Sequence, residues 1–189
     1  LSGVKKLQKI NVDFIKIAST EIQDLKLIEM SAKTKKPIIL SSGAADLVDI
    51  SLANKVVRKY NNNFAFLHCV SIYPAKFSQL NLNMINTMRK FLGVPIGYSD
   101  HSDSYVIPCV AVAKGADIIE KHITFNKNAK GPDHNFSLNE KELIKMVKNI
   151  RDAEISFGKS IKQPAIKNER RNLARRIVIN NNLKKGHKI

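Results

Sequence analysis

Two short stretches of the chain carry the residue types that bind cations and move protons. "IGYSDHS" (96–102) brings Ser99, Asp100 and His101 together, and "IIEKHIT" (118–124) brings Glu120 and His122. A neutral imidazole offers a lone pair to a divalent ion, or takes and returns a proton near neutral pH. Both stretches read as strand ends, and side chains two apart on a strand project from the same face. Ser99 and His101 therefore share a face of one strand, as Glu120 and His122 do on the next. If the two strands are neighbours, both imidazoles and Glu120 converge. Two histidines leave several coordination positions to water and substrate oxygens. Such an open site of nitrogen and oxygen ligands is catalytic in character, and suits Mn, Mg or a similar divalent ion better than a closed zinc. The spacing alone leaves a plainer alternative open, in which each histidine is a hydrogen-bonded core residue.

Strands able to hold these residues recur along the chain. The runs are "FIKIAS" (14–19), "PIILSS" (37–42), "FAFLHCV" (64–70), "PIGYSD" (95–100) and "DIIEKHIT" (117–124). Their starts are separated by roughly 20 to 30 residues, the length of one strand–helix unit, which predicts a parallel sheet. Helical patterns lie between them. "DLKLIEMSAKT" offers Leu25 and Ile28 on one face, with Ser31 and Ala32 beside them. "DLVDISLANKVVRKY" offers Leu47, Ile50, Asn54 and Val57, with Leu52 and Val56 nearby. "LNMINTMRKFL" offers Leu82, Ile85, Met88 and Leu92. A last helix in "SLNEKELIKMVKNIRDAEISFG" is expected to start at a capping box of Ser137 with Glu140 and to stop at Gly158. Its apolar face is expected to be Leu143, Met146, Val147, Ile150 and Ile155.

Every strand runs out into small, polar or ionisable residues at its C-terminal end. They are Ser19 and Glu21; Ser41, Ser42 and Gly43; His68, Ser71 and Tyr73; Ser99, Asp100 and His101; Glu120 and His122. The carboxyl ends of parallel strands are the site-bearing face of α/β proteins. One polar strand end means little, but five in succession point to a site. Hydroxyls and backbone N–H groups at strand-to-helix junctions, backed by a lysine, make a phosphate cradle. Lys16, flanked by isoleucines within its strand, needs an anionic partner to offset its desolvation. That partner is a substrate anion or a buried structural carboxylate.

The bulk properties bound the reading without deciding it. The 189 residues are 43% hydrophobic, enough for one sizeable core or most of a larger one. There is no apolar run of about 18 residues to form a membrane helix. The N-terminal "LSGVKKLQKINVDF" reads as a helix tail entering a strand rather than a signal peptide, and the lack of an initiator Met suggests a piece of something longer. Cys69 and Cys109 form no metal or redox spacing, so a reducing, cytoplasmic location is expected. A net charge of +16 fits a solvated lysine-rich surface, attraction of an anionic substrate, or nucleic-acid binding. No aromatic residues alternate with the basic run Lys167–Arg176 to stack bases, so neither a nucleic-acid nor a membrane partner is expected.

Six blocks in order resemble the bacterial sialic acid synthase family: "FIKIASTEI", "KPIILSSGAA", "FLHCVSIYPA", "GVPIGYSDHS", "GADIIEKHIT" and "GPDHNFSL". The resemblance runs from about residue 12 to residue 158. It implies the C-terminal part of a (β/α)8 TIM barrel, about strands four to eight, over residues 1–158. A linker over 159–174 would follow, and "RRIVINNNLKKGHKI" (175–189) is similar to the start of the family's antifreeze-like (SAF) domain. The implied activity is a transferase, a nonulosonic acid synthase that condenses phosphoenolpyruvate with an N-acetylated amino sugar such as N-acetylmannosamine, releasing phosphate by C–O cleavage. By resemblance, His101 and His122 hold a divalent metal, Mn with Mg or Co as alternatives, that activates the sugar aldehyde. Lys16, Ser19, Ser41, Ser99 and, less firmly, Ser71 match positions that hold the phosphoenolpyruvate phosphate. Glu21 matches an acidic residue near the reacting enol carbon, and Tyr73, Glu120 and Asp133 match positions that contact the amino sugar. Within the family, His68 and His134 lean towards a neuraminic or legionaminic rather than a pseudaminic product. The resemblance implies a homodimer for the full-length protein. Five strands cannot close an eight-stranded barrel, so these residues alone are expected to be inactive and prone to associate.

Overall fold

The computed structural model describes residues 2–162 and, beyond them, positions 173, 175, 178, 182 and 184–186. Helix α1 (Ser2–Lys9) leads into β1 (Ile15–Ile17), α2 (Leu25–Lys33), β2 (Ile38–Ser41) and α3 (Leu47–Arg58). Then come β3 (Phe64–Cys69), α4 (Met84–Leu92), β4 (Ile96–Asp100), α5 (Ile107–Ala113), β5 (Ile119–Lys121) and α6 (Glu140–Ser156). The chain divides into two compact units, Leu1–Phe157 and Gly158–Ile189. The expected linker and antifreeze-like segment fall for the most part outside the described residues. Among the described residues no helix is long and apolar enough to cross a membrane.

The five strands pair in the order β1-β2-β3-β4-β5, every pair parallel. A doubly wound sheet would reverse direction at a switch point; this one never does. Right-handed crossovers in an unbroken sequential order place every helix on the same face, which is the winding of a half-barrel. Burial agrees. Ile15, Ile17, Ile38, Leu40, Phe64, Phe66, Ile96 and Tyr98, alternate residues of four strands, pack in one core with Ile28, Ile50, Val57, Ile85, Met88 and Leu92 from the helices. The other alternates, among them Lys16, Ser41, Cys69, Ser99 and Glu120, line the opposite, inner face. Gly97 belongs to that face for want of room, since a Cβ there would come within 2.5 Å of Ile118 O and of Leu67 Cδ2.

Several expectations change on contact with the fold. Asp100, next to His101 in the chain, does not share its face, although its charge still favours protonation of the imidazole. It alternates onto the outer face, where Lys121 Nζ sits 2.7 Å from its Oδ2. Helix α5 was not anticipated, because "IPCVAVA" is apolar all round and offers no period of 3.6. In α3 the buried stripe is Ile50, Ala53 and Val57, while Leu47 and Leu52 are 40% and 43% exposed. Helix α6 starts two residues later than expected. Asn139 caps it by accepting from Glu142 N at 3.0 Å, and Glu142 Oε2 accepts from Asn139 N at 2.9 Å. Ser137 is instead buried, its hydroxyl donating to Asp133 O. Packed against Cys109 and Val112 of α5 and Ile119 of β5, α6 buries Met146 and Ile150 and leaves Val147 and Ile155 exposed. It ends at Ser156, and Gly158 follows in the left-handed region at φ 54°.

His68, on the outer face, is buried, and its Nε2 lies 2.8 Å from Leu80 O, the geometry of a neutral ring donating its proton. Burial holds its pKa below the ordinary 6.5, with the Leu80 carbonyl opposing in part. A folded-state pKa below the unfolded value means that stability is fully present above 6.5 and lost as pH falls towards the folded value. Thermal melts across that window should show the loss, and His68→Gln should lessen it. Asn139→Ala should cost about 1 kcal/mol in denaturant titrations, against a few tenths for Glu140→Ala.

Candidate active site

The site gathers on the inner face where β3, β4 and β5 end. The register sets Cys69 beside Ser99, and Ser99 beside Glu120. Ser99 Oγ donates to Glu120 Oε1 at 2.6 Å, and Lys16 Nζ reaches Glu120 Oε2 at 3.3 Å from the opposite edge strand, across the same inner face. Just beyond the last paired residues, the rings of His101 and His122 meet with centroids 5.4 Å apart and planes at 73°. His101 Nδ1 lies 2.7 Å from Val70 O, so that nitrogen carries the proton and Nε2 keeps a free lone pair. Ser99 Oγ lies 3.5 Å from that Nε2. Burial depresses the His101 pKa, the Val70 carbonyl partly opposes this, and His122 depresses it further. The ring is thus neutral at neutral pH, as a metal ligand or hydrogen-bond acceptor must be.

An aromatic wall stands around the pair. Tyr73 stacks on His101 at a centroid distance of 4.1 Å, and Phe136 packs against His122 at 5.2 Å and Tyr73 at 5.7 Å. Burial raises the Tyr73 pKa, and the neighbouring Cys69, Asp133 and Glu120 raise it further, so its hydroxyl stays protonated. Asp133 Oδ2 is 3.9 Å from His122 Nδ1, beyond hydrogen-bonding range.

The hydroxyls lie beside this cluster. Ser19 Oγ and Ser71 Oγ are 3.1 Å apart, joining the ends of β1 and β3. The loop after β2 presses on the same place: a Cβ on Gly43 would fall 2.4 Å from Ser71 Oγ and 2.8 Å from Cys69 Sγ. Ser42 Oγ is spent on Leu67 O at 2.9 Å. Ser41 Oγ is buried without a hydrogen-bond partner among the described residues. A buried hydroxyl left unmatched in this way is an unused polar group on the site's floor.

The donor set fits a divalent ion in part. Two neutral imidazoles converge, one with its tautomer fixed, but no group of three or more His, Cys, Asp or Glu side chains among the described residues is placed to enclose one. The remaining ligands would have to be water or substrate oxygens.

The sequence profile of the NeuB family matches residues 1–162. The chain belongs to the NeuB family. It is 42% identical over 189 residues to an uncharacterized protein of Methanocaldococcus jannaschii, covering 98% of this chain and 56% of that protein. It is 37% identical over 164 residues to the N,N'-diacetyllegionaminic acid synthase of Legionella pneumophila, covering 84% of this chain and 46% of that one. Among solved structures it resembles the N-acetylneuraminic acid synthetase of Leptospira borgpetersenii in complex with citrate, with a TM-score of 0.84 and 36% identity over 93% of this chain and 64% of that one. The chain spans about half the length of the curated relatives it matches.

Within this NeuB-family half-barrel, Lys16, Tyr73, Ser99, His101, Glu120, His122 and Asp133 are brought together. Ser19 and Ser71 form a second group that adjoins it through Cys69, whose Sγ lies 3.8 Å from His101 Nδ1. Glu21 is exposed at the end of the turn Ser19–Glu21, and no hydrogen bond or ion pair joins its carboxylate to the others among the described residues. Sequence reasoning passed over Phe136, although it lies inside "GPDHNFSL", and the Val70 carbonyl, for which no side-chain signal exists. Removing the unmatched Ser41 hydroxyl should not harm the fold. Ser41→Ala should melt no lower than the parent and be up to about 1 kcal/mol more stable in denaturant titration.

Proposed function

We propose that the full-length protein is a nonulosonic acid synthase, a transferase that condenses phosphoenolpyruvate with an N-acetylated amino sugar and releases phosphate. The observation that carries this reading is the pairing of His101 and His122 above Ser99 and Glu120, with His101 Nε2 kept free by the Val70 carbonyl. His101 and His122 would hold the divalent ion, Mn with Mg or Co as alternatives, and that ion would supply Lewis-acid polarisation of the open-chain sugar's aldehyde.

The chain's own residues have distinct tasks. Lys16 supplies positive charge and Ser19, Ser41, Ser71 and Ser99 supply hydroxyls to the phosphoenolpyruvate phosphate. Glu120, Tyr73 and Asp133 take the sugar's hydroxyl and acetamido groups, fixing its aldehyde carbon against the enol carbon. A bond forms between the aldehyde carbon and the terminal enol carbon, and the aldehyde oxygen takes up a proton to become a hydroxyl. Water adds to the carbon bearing phosphate and gives up a proton, and phosphate leaves with its bridging oxygen by C–O cleavage, leaving a ketone. Glu21 stabilises the positive charge that develops there or accepts the proton from water. The Tyr73 and Phe136 rings restrict water around the imidazoles. A homodimer in the cytoplasm completes the reading, with the acceptor a mannosamine- or legionaminic-type sugar.

The test is phosphate release by the full-length protein supplied with phosphoenolpyruvate, Mn and a panel of N-acetylated hexosamines. Activity is expected with at least one acceptor, and His122→Ala should lower kcat by about 10²-fold or more. No release with any acceptor, or a fully active His122→Ala variant, overturns the proposal.

A further inference from the structure

On the outer face of β4 and β5, opposite the imidazoles, lies a polar cluster that the proposed chemistry does not use. Lys121 Nζ is 2.7 Å from Asp100 Oδ2, with the two side chains only 3% and 0% exposed. Lys121 Nζ also donates to Ser102 O. Asp100 Oδ1 accepts from Ser102 N at 2.9 Å and from the Tyr98 hydroxyl at 3.2 Å, and Oδ2 accepts from Ser102 Oγ at 3.1 Å. The residues on both sides of His101 are therefore tied to the residue directly before His122.

A buried ion pair is a poor way to gain stability, because desolvating both charges offsets much of their attraction. What it does well is fix geometry. Strand β5 is three residues long and its register with β4 is Tyr98–Ile119, Ser99–Glu120 and Asp100–Lys121, with further bonds from Ile96 and Tyr98 only to the segment before it. On the inner face, Glu120 is 41% exposed and screened by solvent. The firm tie between the two histidine-bearing strand ends is on the dry side. Backbone bonds from Ala75 N to His101 O and from Leu138 N to His122 O anchor each histidine separately and not to each other.

We propose that Asp100 and Lys121 are positioning residues that set the separation of His101 and His122, and so the affinity of that pair for a divalent cation. The inference rests on the reading of the two imidazoles as a cation site. Supporting partners of metal ligands characteristically change affinity by about 10- to 100-fold when lost.

The experiment is a Mn(II) titration of the full-length protein, followed by the electron paramagnetic resonance of free Mn(II), without substrates. The double variant Asp100→Asn/Lys121→Met leaves no unpaired buried charge. It should stay folded by circular dichroism and bind Mn(II) at least about tenfold more weakly than the parent. Lys121→Met alone, which leaves Asp100 its bonds from the Ser102 amide, the Ser102 hydroxyl and the Tyr98 hydroxyl, should weaken binding in the same direction and replaces the double variant if that one does not fold. Ile28→Ala, on the buried face of α2, should lower the melting temperature yet bind Mn(II) as the parent does. Parental affinity in the Asp100 and Lys121 variants, or equal weakening by Ile28→Ala, overturns the inference and leaves the site reading standing. A parent that binds no Mn(II) overturns both.

Discussion

Where β4 lies beside β5, Ser99 faces Glu120 and Asp100 faces Lys121, and side-chain alternation sends these two pairs to opposite sides of the sheet. The inner pair begins the site; the outer pair closes the core beneath it. A slip of one residue would exchange the faces, turning both histidines towards the helices and the Asp100–Lys121 charges towards solvent. The register is held against this by the apolar partners of the outer face, Ile96, Tyr98 and Ile119, which pack under the helices. Hydrophobic burial thus selects the register, and the register aims the imidazoles.

The two faces use charge differently. Inside the half-barrel, Lys16 and Glu120 are 29% and 41% exposed, so their attraction is screened and their contacts can be exchanged for a ligand's at modest cost. On the helix side, Asp100 and Lys121 are dry and paired, with Asp100 also held by the Ser102 amide and hydroxyl, an arrangement in which losing one partner leaves a charge uncompensated. Adaptable polar groups line the inner face and fixed ones support them from the outer face.

Room is the second constraint. Gly97 lets the Leu67 side chain and the Ile118 carbonyl approach β4, and Gly43 lets the loop after β2 lie against Cys69 and Ser71. Neither needs a left-handed backbone; each is required because a methyl group would displace its neighbours. Close approach at Gly43 brings the loop after β2 against the end of β3, beyond which the Val70 carbonyl holds Nδ1 of His101.

The sequence by itself determined the strands, most of the helices and, from their spacing, a parallel sheet, because apolar runs and 3.6-residue periods are local properties; the order of the strands came only with the family resemblance and the fold. The sequence also determined which residues share a face, since alternation needs only a strand assignment, and its ordered blocks determined the family. It did not determine α5, where an all-apolar stretch has no period to read, nor the start of α6, where two overlapping capping patterns compete and only the packing of Ser137 decides. Tertiary structure alone decided that Asp100 pairs with Lys121, that Phe136 backs His122 and that a main-chain carbonyl fixes the His101 tautomer. Each is a contact between segments distant in the chain, and such contacts exist only once burial has chosen the register.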